Sequence, residues 1–304
     1  MKIGYSSTNW SFDCRANSTF RIGSYSRDRF IKTVKGNLDC LKKILEYNIS
    51  NDILFFRISS DILPFAGHSI INVNWRREFK KELSEIGKMI KNGNVRISMH
   101  PGQYLILNSP NDEVVRSSVR ELKWHCQFMD AMGLDNTAKV QFHVGGVYGN
   151  RSDAMSRFVN TFLELPNFMK KRAVLENDDS LYGVSDCLLV SYQCNVPLVL
   201  DVFHHSLHNA GETLHDALLS TSRTWGRDDG LPMVDYSSQE KGALPGRHAK
   251  HIDPKEFMEF IKATSGYDFD IMLEIKDKEK SVFTALNVAK EIRGVLQPSL
   301  KPLD

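Results

Sequence analysis

The sequence predicts an α/β protein of the (β/α)8 TIM-barrel class, with a metal cluster at the C-terminal face of the strands. Eight short β-rich runs alternate with amphipathic helical patterns, and the 304 residues suit one closed parallel barrel. His, Asp or Glu also stands at the end of six of these runs. The first run, residues 2–7, precedes Phe30, Val34, Leu38, Leu41 and Leu45 at helical spacing. Runs at 53–60 and 95–100 flank a helical pattern at 75–91, and a further pattern at 114–132 leads into the run at 139–145. A helix at 153–163 then precedes 173–177, and runs at 197–203, 232–237 and 270–276 complete the eight, with a helix expected over 253–263. No linker, repeat or low-complexity tract interrupts them, so residues 1–304 are expected to form a single domain. A doubly wound sheet would carry fewer strands and an early glycine-rich phosphate turn, which is missing here. Gly145-Gly146 with Gly149 reads as a tight turn.

With 41% hydrophobic and 25% charged residues the chain is neither disordered, collagen-like nor a coiled coil. No apolar run reaches the roughly 18 residues of a membrane span, and no signal-peptide pattern opens the chain. A soluble, intracellular, cytoplasmic protein without a membrane partner is expected, acting as a monomer. Cys14, Cys40, Cys126, Cys187 and Cys194 form an odd, scattered set with no C-x-x-C pair, and reduced thiols are expected. A net charge of +2 decides little. Residues 11–36, however, gather Arg15, Arg21, Arg27, Arg29, Lys32 and Lys35 against Asp13 and Asp28, beside Trp10, Phe12, Phe20 and Tyr25. Such a stretch suits phosphates and bases, or a solvated loop running into an amphipathic helix.

In a parallel barrel the C-terminal strand ends converge on one mouth, where polar residues read as functional. His100 ends the third run, His143 lies in the fourth, Glu176 in the fifth, Asp201 in the sixth with His204 after it, Asp235 in the seventh and Glu274 in the eighth. Alternation puts Gln141 with His143, Val199 with Asp201, Met233 with Asp235 and Met272 with Glu274 on shared faces. Carboxylates gathered at one buried mouth repel unless cations neutralise them. Mixed imidazole and carboxylate donors suit Mn²⁺, Zn²⁺ or Fe²⁺, and their number exceeds the needs of one ion. His248 or His251, in the long loop after the seventh run, is placed to close the site from above.

Together, Phe56-Arg57-Ile58-Ser59-Ser60-Asp61 with Pro64 and His68, His100-Pro101-Gly102-Gln103-Tyr104, Phe142-His143-Val144-Gly145-Gly146, Leu175-Glu176-Asn177-Asp178 and Asp201-x-x-His204-His205 resemble the UV damage endonuclease family, which is related to endonuclease IV. The resemblance runs from about Ile3 to Glu274. It implies a metal-dependent DNA repair endonuclease that nicks duplex DNA immediately 5′ to cyclobutane pyrimidine dimers and 6-4 photoproducts. The products are a 3′-hydroxyl and a 5′-phosphate. It implies two or three divalent ions, Mn²⁺ foremost with Zn²⁺ or Mg²⁺ as alternatives, on His100, His143, Glu176, Asp201, His204, His248 and Glu274. Glu176 bridges two of them, Glu176 and Glu274 take part in catalysis, and His68 is a nearby catalytic or supporting residue. Gln103 and Tyr104 resemble the pair that probes between bases opposite a lesion, and Tyr5 and Asn9 resemble residues on the damaged-base side.

The resemblance departs at the seventh strand. Lys-x-His is expected there, but the triplet is Met233-Val234-Asp235, and Gly246 stands where endonuclease IV carries an acid ahead of the loop His. Neither route to a full third site is intact, and Asp235 is expected to ligate as a carboxylate in place of an imidazole. An abasic-site endonuclease, a sugar isomerase and a non-catalytic damage-binding module are the competing readings. The basic, aromatic first loop and Gln103-Tyr104 favour a DNA enzyme over an isomerase.

Overall fold

Each β-rich run supplies one four- or five-residue strand buried along most of its length, as a parallel sheet covered by helices requires. In the computed structural model, which describes residues 1–102 and 105–294, these strands are β1 (Ile3–Ser6), β2 (Phe55–Ile58), β3 (Arg96–Met99), β4 (Lys139–His143), β5 (Ala173–Glu176), β6 (Leu198–Asp201), β7 (Met233–Tyr236) and β8 (Asp270–Leu273). All pair in parallel in chain order, and β8 closes onto β1. The strands end earlier than the apolar runs that announce them, so His100 and Glu274 lie one residue past β3 and β8.

The helices are α1 (Arg27–Ser50), α2 (Trp75–Glu78), α3 (Lys80–Asn92), α4 (Asp112–Ala131), α5 (Arg151–Leu163), α6 (Asn167–Lys170), α7 (Val184–Cys194), α8 (Val202–Leu207), α9 (Leu214–Ser222), α10 (Pro254–Ala263) and α11 (Glu279–Arg293). Ser26, Asn111, Asn150, Thr213 and Asp253 start five of them by accepting a hydrogen bond from a first-turn N–H. The single helix expected over 75–91 is two, because Phe79 leaves helical geometry (φ −107°, ψ 24°) while burying its ring. Gly145 has φ +111°, and a Cβ there would stand 2.4 Å from Asn108 Oδ1, so the turn after β4 requires glycine.

The barrel interior is layered. Arg96, Lys139 and Asp270 form a buried charged floor, where Arg96 Nη1 donates to Asp270 Oδ2 at 2.8 Å and Lys139 pairs with Asp229. Above it Phe55, Val174, Val199, Met233 and Met272 form an apolar layer. Arg57, Gln141, Glu176, Asp201 and Asp235 make the polar layer at the mouth, while the opposite strand faces carry Phe56, Val140, Leu175, Leu200 and Val234 to the helices.

The expectation of reduced thiols is corrected for one pair. Cys14 and Cys40 form a disulfide with Cα atoms 5.8 Å apart, which ties the first loop to α1. Their separation of 26 residues carries no sequence signal, because only the fold brings the loop back onto the helix. Cys126, Cys187 and Cys194 are free and buried. Among the described residues no helix is long and apolar enough to cross a membrane.

His125 on α4 is fully buried. Its Nδ1 donates to the Glu121 carbonyl oxygen at 2.8 Å and its Nε2 lies 2.9 Å from Ser60 Oγ, which also reaches the His100 carbonyl oxygen at 3.1 Å. Burial pushes its pKa down to about 3, with the Glu121 hydrogen bond opposing. The ring is therefore neutral when folded and protonates near pH 6.5 when unfolded. Its contribution is present above that pH and is lost as pH falls towards 3. In urea unfolding of metal-free protein at pH 7, 6 and 5, the stability of the wild type relative to His125→Gln should fall as pH falls, by up to about 1.4 kcal/mol per unit. A difference that does not change with pH would place the proton uptake elsewhere.

Candidate metal centre

Strand alternation and strand ends together build the site. Glu176 closes β5 on its inward face, is 1% exposed, and accepts a hydrogen bond from Gln141 Nε2 at 2.5 Å. Around it stand three imidazoles. His100 Nε2 lies 3.0 Å from Glu176 Oε2, held there because Nδ1 donates to the Pro101 carbonyl oxygen at 2.7 Å. His143 Nε2 is 3.7 Å from the same oxygen, and His204 Nδ1 is 3.3 Å from Glu176 Oε1 and 3.6 Å from Asp201 Oδ2.

Asp201 ends β6 and caps α8, its Oδ1 accepting from the His204 N–H at 2.7 Å. The cap explains the Asp201-x-x-His204 spacing, since one helical turn returns His204 over the carboxylate that starts the helix. Asn177 locks β5 to β6 by exchanging hydrogen bonds with the Asp201 backbone at 2.9 and 3.1 Å. After β8, Glu274 faces His248, whose Nδ1 is 3.0 Å from the Glu274 carbonyl oxygen and 3.8 Å from its Oε2. A backbone bridge between Gln239 and His248 fixes that loop.

Three overlapping groups hold ligand atoms within 4.8 Å of one another: His100, His143 and Glu176; Glu176, Asp201 and His204; and Asp201, Asp235 and Glu274. Asp201 Oδ2 is buried with no hydrogen-bond partner among the described residues, an acceptor aimed into the cluster with nothing to accept. The first two groups, two imidazoles with a carboxylate and one imidazole with two, fit divalent ions of the Mn²⁺ or Zn²⁺ kind.

Charge is distributed unevenly across the cluster. Burial works to raise the Glu176 carboxyl, but His143, His100 and His204 hold it well below the usual range. Burial pushes Asp201 well above that range, with Glu274, Glu176 and Asp235 adding to the rise against His204. For His204 burial acts downwards, yet Asp201 and Glu176 carry its pKa up to about 11.

The cluster opens into a cleft of about 1030 Å³, lined by Ser6, Ser7, His68, Gly102, Arg120 and Trp124 among others. His68 is exposed there, with Nδ1 accepting from the Ile70 N–H at 3.1 Å. Gln103 and Tyr104 lie outside the described residues.

One expectation needs correction, and two further residues gain partners that the sequence did not announce. Tyr5 and Asn9 do not face the cleft: β1 turns Tyr5 towards the helices, where its OH donates to Asn48 Oδ1 and accepts from Asn9 Nδ2, both at 2.8 Å, and both side chains are buried. Asp235 does reach the mouth, but both its oxygens accept from Arg57 Nη2, at 2.8 and 2.7 Å, and Gln141 donates to Oδ2 at 2.6 Å. Burial and the nearby Glu274 and Glu176 keep its carboxyl above the usual range in spite of Arg57. Of the two loop imidazoles, His248 is the one near Glu274, while His251 pairs with Asp277 at 2.8 Å.

Arg57 and Gln141 are the functional residues that strand-end reasoning passed over. Their signal was parity, because each occupies the inward position of its strand one register below the mouth. In the first loop, Phe12 packs on Tyr47, Phe20 on Phe65, and Tyr25 donates to Asn72. Trp10 alone of the four aromatics stays half exposed, with Arg15 4.9 Å from its ring.

A model of the UV-endonuclease UvdE family matches residues 2–303. The chain belongs to the UvdE family. The UV DNA damage endonuclease of Clostridium perfringens is 38% identical over 298 residues, 97% of this chain and 72% of that protein. The crystal structure of SacUVDE is 45% identical, covers 97% of this chain and 100% of its own, and superposes with a TM-score of 0.92. Endonuclease IV from Thermus thermophilus, at 14% identity, 83% of this chain and 93% of that one, shares the fold with a TM-score of 0.57.

In this UvdE chain the pKa of a metal-free His204 is carried up to about 11, so an ion that binds its imidazole displaces a proton. Titration calorimetry with Mn²⁺ at pH 7.5, in buffers of differing ionisation enthalpy, should detect net proton release, with affinity falling as pH falls. Proton-neutral, pH-independent binding would place the ions away from His204.

Proposed function

We propose that this UvdE-family chain is a metal-dependent DNA repair endonuclease that nicks one strand immediately 5′ to a cyclobutane pyrimidine dimer or 6-4 photoproduct. The observation that carries this reading is the buried Glu176-centred cluster at the floor of an open cleft, in a chain 38% identical to a UV DNA damage endonuclease along nearly its whole length. His100, His143 and Glu176 hold one divalent ion, Glu176 with Asp201 and His204 a second, and Mn²⁺ suits both donor sets. His248 and Glu274 flank the second group.

Two such ions supply a nucleophile at neutral pH and counter the charge that builds at the phosphate. The protein's own groups fix the geometry. Gln141 fastens Glu176, Asn177 fastens Asp201, and the Pro101 carbonyl oxygen sets the His100 ring, so each donor is oriented before ions or DNA arrive. Water adds to phosphorus, the bond to the 3′ oxygen breaks, and that oxygen leaves with a proton as a 3′-hydroxyl opposite a 5′-phosphate.

The substrate is duplex DNA, received along a cleft bordered by His68 and Arg120, with Trp10 and Arg15 on the first loop as a basic, aromatic flank. Gln103 and Tyr104 supply the wedge that fills space left by displaced bases. A photodimer favours that displacement because its bases unstack at lower cost than normal ones.

A labelled duplex with one cyclobutane dimer, incubated with Mn²⁺ or EDTA beside abasic and undamaged controls, tests the reading. A Mn²⁺-dependent nick just 5′ to the dimer is expected, and Glu176→Ala should lower its rate by at least about 100-fold, a scale that changes in outer support alone can reach. Cleavage of the abasic strand alone would make the protein an abasic-site enzyme. Lesion binding with no nick under any divalent metal would make it a damage-binding module.

A further inference from the structure

We infer that the Arg57 guanidinium takes the place of a third cation at the barrel mouth, so that the centre holds two divalent ions and Asp235 is not a metal ligand. This inference rests on the two-ion reading above and adds which residues do not take metal.

Asp201, Asp235 and Glu274 bring three carboxylates within ligand distance of one another, a grouping that invites an ion. It differs from the other two groups in having no imidazole, and it already contains a cation. Arg57 enters from β2, 4% exposed, and Nη2 donates to both oxygens of Asp235 while Nη1 donates to Glu274 Oε1. Nη2 also reaches Gln141 Oε1 at 2.9 Å, and Nε faces Ser98 Oγ at 3.4 Å. The fork thus joins β2 to β4, β7 and β8 across the lumen.

Asp235 therefore receives three hydrogen bonds, two from Arg57 and one from Gln141, and these engage most of a carboxylate's acceptor capacity. A divalent ion on Asp235 and Glu274 would have to sit beside the guanidinium that bonds both of them. Like charges at that distance in a buried site repel strongly, and arginine cannot shed its proton to make room. An imidazole can, which separates the two histidine-bearing groups from this one.

The seventh strand is consistent with this. Met233, one inward position below Asp235, lies in the apolar layer with Phe55, Val174, Val199 and Met272 and offers no oxygen or nitrogen from beneath. A third ion would find Asp235 engaged, no donor below it and a fixed positive charge alongside. The arrangement has a consequence for the working ions. Through Gln141, which bonds both Asp235 and Glu176, the Arg57 charge orients the carboxylate shared by the two ions without depending on metal supply.

The test is an ion count. Protein loaded with excess Mn²⁺, desalted and measured by inductively coupled plasma mass spectrometry should carry two ions per chain. Asp235→Asn, which keeps the shape and an acceptor oxygen, should also carry two. Arg57→Met, which releases Asp235 and Glu274, should take up a third. Three ions in the wild-type protein, or the loss of one in Asp235→Asn, would overturn the inference while dimer nicking leaves the endonuclease reading standing. Fewer than two ions in the wild-type protein would overturn both.

Discussion

Four carboxylates, Glu176, Asp201, Asp235 and Glu274, share one buried space at the top of the barrel, and the rest of the molecule is arranged around keeping them there. Like charges so placed in a poorly solvated site repel, and each has lost hydration besides. The barrel floor shows how the same problem is solved where no chemistry is needed. Arg96 pairs with Asp270 and Lys139 with Asp229, so each floor carboxylate has a basic side chain of its own. The mouth is arranged differently: its one guanidinium bonds Asp235 and Glu274, only imidazoles approach Glu176 and Asp201 as cations, and Asp201 Oδ2 is buried with no hydrogen-bond partner among the described residues. A surplus of carboxylates over permanent cations suits that end of the barrel to cations.

The fold was legible because its signals are redundant. Eight parallel strands buried on both faces each need a short apolar run, and the crossovers need amphipathic helices, so eight strand runs and five helical patterns point to one topology. The candidate ligands were legible for a related reason, since a residue at the C-terminal end of a barrel strand can reach only the mouth. What stayed hidden was decided by tertiary partners. Cys14 and Cys40 meet because the first loop folds back on α1, and nothing local announces that. Tyr5 matches a family position for lesion contact, yet alternation alone places it opposite the inward-facing Gly4 and Ser6, and the structure follows alternation. The Arg57 partner of Asp235 was hidden as well, since it comes from β2, 178 residues away in sequence.

Arg57 and Gln141 show how a parallel barrel uses the layer beneath its mouth. Arg57 lines the cleft but has no atom to give an ion, and between them Arg57 and Gln141 bond Glu176, Asp235 and Glu274. Removing one partner of such a buried pair costs about 3–5 kcal/mol, because the remaining charge is left unpaired. The layer therefore belongs to stability and to function together. It holds carboxylates at fixed positions that would otherwise move apart, which is the pre-organisation a hydrolytic centre requires.

The central claim is that Glu176 is the shared ligand of two ions. Crystals soaked in Mn²⁺ and measured above and below the manganese absorption edge test it most directly. The account predicts two anomalous peaks flanking the Glu176 carboxylate, one within ligand distance of His100 and His143 and the other within ligand distance of Asp201 and His204. A single peak, or peaks that leave Glu176 bonded only to Gln141 and the imidazoles, would contradict it.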